Sequence, residues 1–146
     1  MIRFKMDNIE VEQFAILSDG LPASGKVDFE TSLGFMYSVE TKRIACVFIL
    51  LYSDSDSGAP LLKMALNCQF SIHPDDWNSM ISDGVITIPK NLQEFLAVQT
   101  VGTSRGILFS KTEKTPFSQL ILPPVNVAEM IKGAIKESLP VSQSDE

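Results

Sequence analysis

The sequence predicts an α+β fold: a four-stranded antiparallel sheet followed by a long helix, a proline-rich crossover loop and a C-terminal helix. Three observations predict it. Four segments in the first half alternate apolar and polar residues, or run apolar throughout, over strand lengths between polar turns. After Ile72 the period lengthens, and from Leu92 apolar and small residues recur at helical spacing. The chain has 146 residues, 45% of them apolar and 21% charged, enough for one core and one domain.

The first segment, from Ile9 to Leu17, starts as an alternating strand. Ile9 and Val11 share a face, but Phe14 and Ile16 have the opposite parity, so a bulge is expected near Glu12 and Gln13. A turn-rich stretch from Ser18 to Gly25 follows. Val27, Phe29, Leu33, Phe35, Tyr37 and Val39 then lie at odd positions between polar residues, as in a half-buried strand. Glu40 to Arg43 reads as a hairpin connection. Ile44 to Tyr52 is apolar at every position, the pattern of a central strand buried on both faces. Helices cover one face of an antiparallel sheet in a small domain, so its other face calls for a second subunit or a bound chain. Ser53 to Pro60 is a polar loop that lacks the ligand pattern of a calcium site. Leu62, Met64, Leu66, Cys68, Phe70 and Ile72 make the fourth strand.

Pro74 opens a short helical turn that ends at Asp83-Gly84, and Val85 to Pro89 is extended. Asn91, with Glu94 three residues on, reads as the N-cap of a helix from Leu92 to about Thr112. Leu92, Phe95, Leu96, Gln99, Gly102, Thr103, Gly106 and Phe109 trace one face of it. Gly102 and Gly106 each cost about 1 kcal/mol relative to Ala, which close approach to another helix would explain. Thr115 to Val125 is the proline-punctuated crossover. Asn126 caps a final helix with Val127, Met130, Ile131, Ala134 and Ile135 on its apolar stripe. Residues 1–139 are thus expected to form one domain, and 140–146 a disordered acidic tail.

A net charge of −6 with no basic patch argues against nucleic acid and anionic membrane surfaces as partners. The N-terminus lacks the apolar core of a secretory leader, and no apolar run is long enough to span a bilayer. Cys46 and Cys68 sit in apolar strands without metal or disulfide spacing, as buried thiols of a reducing, cytoplasmic compartment would. His73 with Asp75 and Asp76 is the one acid–base cluster. Its more ordinary reading is a polar turn with carboxylates at a helix start. No catalytic residue, metal or cofactor is expected, and the chain reads as a binding protein rather than an enzyme.

The run from Arg105 through Leu120-Ile121-Leu122-Pro123-Pro124-Val125-Asn126-Val127 resembles the C-terminal signature of SecB, the bacterial protein-export chaperone family. Lys26 to Thr31 is similar to the start of its first long strand, and Phe70 to Ile72 to the end of its third. The resemblance implies an ATP-independent holdase that binds unfolded or nascent polypeptides in the cytoplasm and self-associates as a dimer of dimers, a homotetramer. Lys63 and Ser24 stand where the family carries acids that engage the SecA motor, and the tail has no Cys, His or basic residue. SecA docking is thereby disfavoured, and a client-specific chaperone of a toxin–antitoxin system is the alternative. Phe29, Phe35, Tyr37, Phe48, Tyr52, Phe70, Trp77 and Phe117 are the candidates for a client groove, Trp77 first among them. Gly102, Arg105 and Gly106 are the candidates for the oligomer helix, with Arg105 expected to pair with an acid.

Overall fold

A computed structural model describes residues 1–133, and of residues 135–140 the backbone path. Four long strands, β1 (Phe4–Ile16), β2 (Lys26–Ser38), β3 (Arg43–Asp54) and β4 (Pro60–Ile72), form one antiparallel sheet. A short helix α1 (Pro74–Ser79) leads to two two-residue strands, β5 (Ile81–Ser82) and β6 (Val85–Ile86). The long helix α2 (Lys90–Thr112), a 3₁₀ turn (Pro116–Gln119), a short helix α3 (Val127–Lys132) and a strand β7 (Ile135–Pro140) complete it. The order in the large sheet is β1-β4-β3-β2-β7.

The expected architecture is present, with a fifth strand added. The stripe assigned to the last helix extends too far: α3 stops at Lys132, and Ile135 lies in β7, paired with Thr31. Pro140 also lies in β7, opposite Lys26, so the strand reaches into the stretch read as tail. Ala134 and residues 141–146 lie outside the described residues. The Asn126 cap is as expected, its Oδ1 accepting from the Glu129 amide at 3.1 Å.

The β1 bulge is also as expected, with a register shift between Val11 and Gln13. A second shift, between Met6 and Asn8, was not legible because β1 starts five residues before the alternation does. The Val11 shift is what returns Phe14 and Ile16 to the face shared by Ile9 and Val11, opposite Met64, Leu62, Cys68 and Leu66. Asp83 and Gly84 both have positive φ, 54° and 76°, as the centre of a type I′ hairpin between β5 and β6 requires. The pair thus does more than stop α1, the role its sequence suggests.

The N-cap assignment at Asn91 is corrected. The helix begins at Lys90, with Pro89 in the cap position and no side-chain cap bond. Asn91 Oδ1 instead accepts from the neighbouring Leu92 amide at 2.9 Å.

Helix α2 covers one face of the sheet over β3 and β4. Under its first half, Leu92 and Leu96 pack with Trp77 and Met80 on Ile44, Cys46, Leu66, Cys68 and Phe70. Under its second half, Val101 and Leu108 pack with Phe117, Leu120, Leu122 and Met130 on Val27, Phe29, Phe48, Leu50 and Tyr52. Each large apolar side chain sealed in this way contributes about 1.5–3 kcal/mol. The sheet-facing side of α2 also carries Thr100, Ser104 and Thr112, whose hydroxyls donate to the carbonyls of Leu96, Thr100 and Leu108 at 2.8–2.9 Å. These bonds let small polar residues lie in an apolar layer without an orphaned hydroxyl.

β3 is central, as its composition predicts, but in the single chain it is buried on one face only. Ile44, Cys46, Phe48, Leu50 and Tyr52 are sealed under α2; on the other face Ala45, Val47 and Leu51 are half-buried and Ile49 is 37% exposed. Among the described residues no helix is long and apolar enough to cross a membrane.

Candidate functional site

β7 pairs antiparallel with β2 from Lys26 to Thr31 and no further. From Ser32 to Ser38, β2 pairs with β3 on one side, and among the described residues no strand lies on the other. This open half-edge is unusually apolar. On the helix side Leu33 and Phe35 are half-buried and Tyr37 is 53% exposed; on the opposite side Met36 is 55% exposed, and Val39 projects just past the strand end. Leu33 and Ile107 of α2 both pack against the two core clusters, so the half-edge rests on a fixed floor. Trp77 supports it from below, 1% exposed, its ring centroid 6.3 Å from that of Tyr37. A hollow of about 170 Å³ opens on the far side between Met36, Tyr37, Ser38, Thr41, Arg43, Ala45 and Gln69.

The eight aromatic residues singled out in the sequence therefore divide. Phe35 and Tyr37 lie at the open half-edge. Phe29, Phe48, Tyr52, Phe70, Trp77 and Phe117 are buried in the single chain. Strand parity alone did not separate the strand residues among them, because Phe29, Phe48, Tyr52 and Phe70 face the same side of the sheet as Phe35 and Tyr37. What separates them is where α2 and the crossover stop covering. Met36 was missed because it sits on the polar-patterned face. Tyr52 is fixed by its hydroxyl donating to the Leu120 carbonyl at 3.4 Å, and burial raises its pKa against the opposing charge of Arg105.

A second surface lies on the outward face of α2. Phe95, Val98 and Phe109 are each about half exposed, and Gly102 and Gly106 lie between them. A Cβ at either glycine would meet nothing within 4 Å, so the bare centre of the helix faces outward. Arg105, beside them and expected to pair with an acid at a helix interface, bonds among the described residues of the single chain to backbone carbonyls. Its Nε donates to the Leu122 carbonyl at 2.7 Å and its guanidinium NH2 to the Pro123 carbonyl at 3.1 Å. Arg105 thus straps the crossover onto α2, and a hollow of about 210 Å³ beside it is lined by Val98, Gly102, Val125 and Val127.

The remaining titratable clusters are structural. His73 Nδ1 accepts from the Asp75 amide at 3.2 Å, capping α1. Asp76 accepts from the Arg3 amide at 2.7 Å and from Arg3 Nε at 2.8 Å, and the guanidinium beside it holds its pKa down at about 2. Cys46 and Cys68 are directly opposite across β3 and β4. Burial pushes the Cys46 thiol up to about 12, with the neighbouring Thr100 hydroxyl opposing the shift. A thiol so held is not a nucleophile. Among the described residues no three His, Cys, Asp or Glu side chains converge as metal ligands would.

No protein-family model matches the chain, and no curated protein matches its sequence. Its structure is similar to a solved one, that of the SecB-like chaperone Rv1957 of Mycobacterium tuberculosis in complex with a ChAD peptide from the HigA1 antitoxin Rv1956. The likeness has a TM-score of 0.56 over 85% of this chain and 91% of that one, at 13% sequence identity. The fold is therefore SecB-like.

Proposed function

We propose that this SecB-like chain is an ATP-independent holdase that binds unfolded polypeptide, in the cytoplasm, as one domain spanning residues 1–139. The observation that carries the reading is the open half of the β2 edge. It combines exposed Met36, Tyr37 and Val39 with half-buried Leu33 and Phe35 on a floor that the chain's own core holds fixed. Apolar contact and backbone pairing along a sheet edge demand no particular client sequence, and they suit a protein that holds many unfolded chains. Each stretch of client apolar surface buried there contributes about 25 cal/mol per Å². The reading assigns no catalytic residue and no cofactor.

Self-association as a dimer of dimers belongs to the same proposal. The outward face of α2, with Gly102 and Gly106 at its centre and Phe95, Val98 and Phe109 around them, fits close packing against a second helix. Arg105 acts beside that face by fixing the crossover. Service to the SecA motor is not part of the proposal, given Lys63 and Ser24. A narrower reading is a chaperone dedicated to one antitoxin, as an antitoxin peptide is what the similar SecB-like chaperone holds; both readings draw equally on that likeness.

The test is suppression of aggregation when a chemically unfolded protein is diluted into buffer with the purified chain and no nucleotide. Suppression that weakens on Tyr37→Asp or Met36→Asp, with the fold intact by circular dichroism, is expected. A folded chain that leaves every unfolded polypeptide tested to aggregate, and captures no antitoxin segment either, would end the proposal.

A further inference from the structure

We infer that the β2 edge is a strand-addition track on which the chain's own C-terminal strand and a bound extended polypeptide sit end to end, so that β7 sets the length of client that can be held. The inference rests on the reading that the chain binds polypeptide, and adds the mode of binding and its regulation.

β2 is thirteen residues long, and β7 occupies only the part from Lys26 to Thr31. The edge therefore accepts an antiparallel strand, and among the described residues no strand pairs with the same row of backbone groups through Ser32–Ser38. That open part spans roughly 23 Å at about 3.3 Å per residue. An added strand sends alternate side chains to the two faces. On the helix side they meet Leu33, Phe35 and Tyr37. On the other side they meet Met36 and the bare backbone of Gly34, where nothing lies within 4 Å of a Cβ position. The fitting partner is thus an extended segment with apolar side chains at alternate positions, and the space over Gly34 takes a large one.

The junction itself carries a mark. Thr31, the last position paired with β7, is 1% exposed, and its Oγ1 has no hydrogen-bond partner among the described residues. A buried hydroxyl of this kind costs free energy until something satisfies it, and the end of an arriving strand would come to rest beside it. The chain enters the edge at this point, from α3, which itself contacts β2, through Gly133. A client longer than the open half must therefore displace β7 residue by residue from Ile135 toward Pro140. In apparent affinity, β7 acts as a resident competitor that lowers the fraction of chains able to hold a long segment.

The test compares two peptides of alternating apolar and polar residues, seven and thirteen residues long, on the full chain and on a full-chain variant carrying Glu137→Pro and Ser138→Pro. Of two adjacent strand residues, one directs its amide at the neighbouring strand, so the pair of prolines unseats β7 whichever it is. The seven-residue peptide should bind both proteins within about twofold. The thirteen-residue peptide should bind the variant about tenfold more tightly, as a resident strand bound in nine chains out of ten requires. Hydrogen exchange on the unsubstituted chain supplies a check independent of the variant's folding. Both peptides should slow exchange at Ser32–Ser38, and only the longer should speed it at 135–139. Equal binding of the long peptide by both proteins, or protection elsewhere than Ser32–Ser38, overturns this inference and leaves the holdase reading standing. Failure of either protein to bind any peptide overturns the holdase reading together with it.

Discussion

Phe48 and Ile49 are neighbours in β3, yet one is sealed beneath α2 and the other stands 37% exposed on the opposite face of the sheet. Helix α2 repeats the division: Leu96 and Leu108 are buried, whereas Phe95 and Phe109, next to them in sequence, are half in solvent. In both elements the inner face is finished by the chain itself. Packing there is tight, and even the hydroxyls of Thr100, Ser104 and Thr112 are satisfied. The outer faces keep apolar residues, Ile49, Phe95 and Phe109 among them, that stay exposed in the single chain. The inner set holds the fold together, and the outer set, at little cost to the fold, is free to meet other molecules.

Substitutions can break or sharpen this contrast. Phe48→Ala strikes the inner face and should cost about 3–5 kcal/mol, read from the midpoint of urea unfolding. Arg105→Ala removes two charge-assisted bonds to the crossover. It should cost about 2 kcal/mol, with Arg105→Lys a poor rescue because one ammonium does not reproduce the planar fork on two carbonyls. Gly106→Ala lies on the outer face with open space above it. The single chain should gain about 0.5–1 kcal/mol in unfolding, while light scattering shows weaker self-association. Ile49→Ser should change unfolding by no more than about 0.5 kcal/mol; a loss as large as that of Phe48→Ala would erase the distinction between the faces.

The smallest effect is expected at the Arg3–Asp76 contact, which ties the N-terminus to α1. The folded pKa of Asp76, about 2, lies below the ordinary carboxylate value of about 3.9. Its contribution is therefore present above pH ~4 and fades as the pH falls toward 2. Asp76→Asn should flatten the unfolding midpoint over that interval and leave it unchanged in slope at neutral pH.

The sheet, the long helix, the helix start at Pro74 and the cap at Asn126 were legible because periodicity and cap chemistry are local. The division of the aromatic residues was not. Phe29 and Phe35 occupy the same parity of the same strand, and only the reach of α2 and the crossover buries one and leaves the other accessible. The carbonyl partners of Arg105 within the chain were not legible for a related reason: charge suggests an acid, whereas the acceptors it reaches among the described residues are carbonyls of the proline-rich crossover, which lie outside regular backbone pairing. β7 was missed because Val127 to Ile135 keeps a helical spacing through Gly133. The helix ends at Lys132, and the chain then leaves along the β2 edge, a tertiary preference that outweighs the pattern.

The two irregularities in β1 bear on how such a protein stays in solution. A molecule that keeps apolar surface uncovered invites endless stacking of copies through its sheet edges. β1 forms the outer edge opposite β7, and its ladder is interrupted between Met6 and Asn8 and again between Val11 and Gln13, with Glu10 and Glu12 flanking the second break. A straight strand cannot keep step across both interruptions, so an arbitrary chain finds only a few matched rungs before the spacing fails. One margin of the sheet keeps an open, apolar half, and the other works like a ward lock, turning only for a strand cut with the same notches.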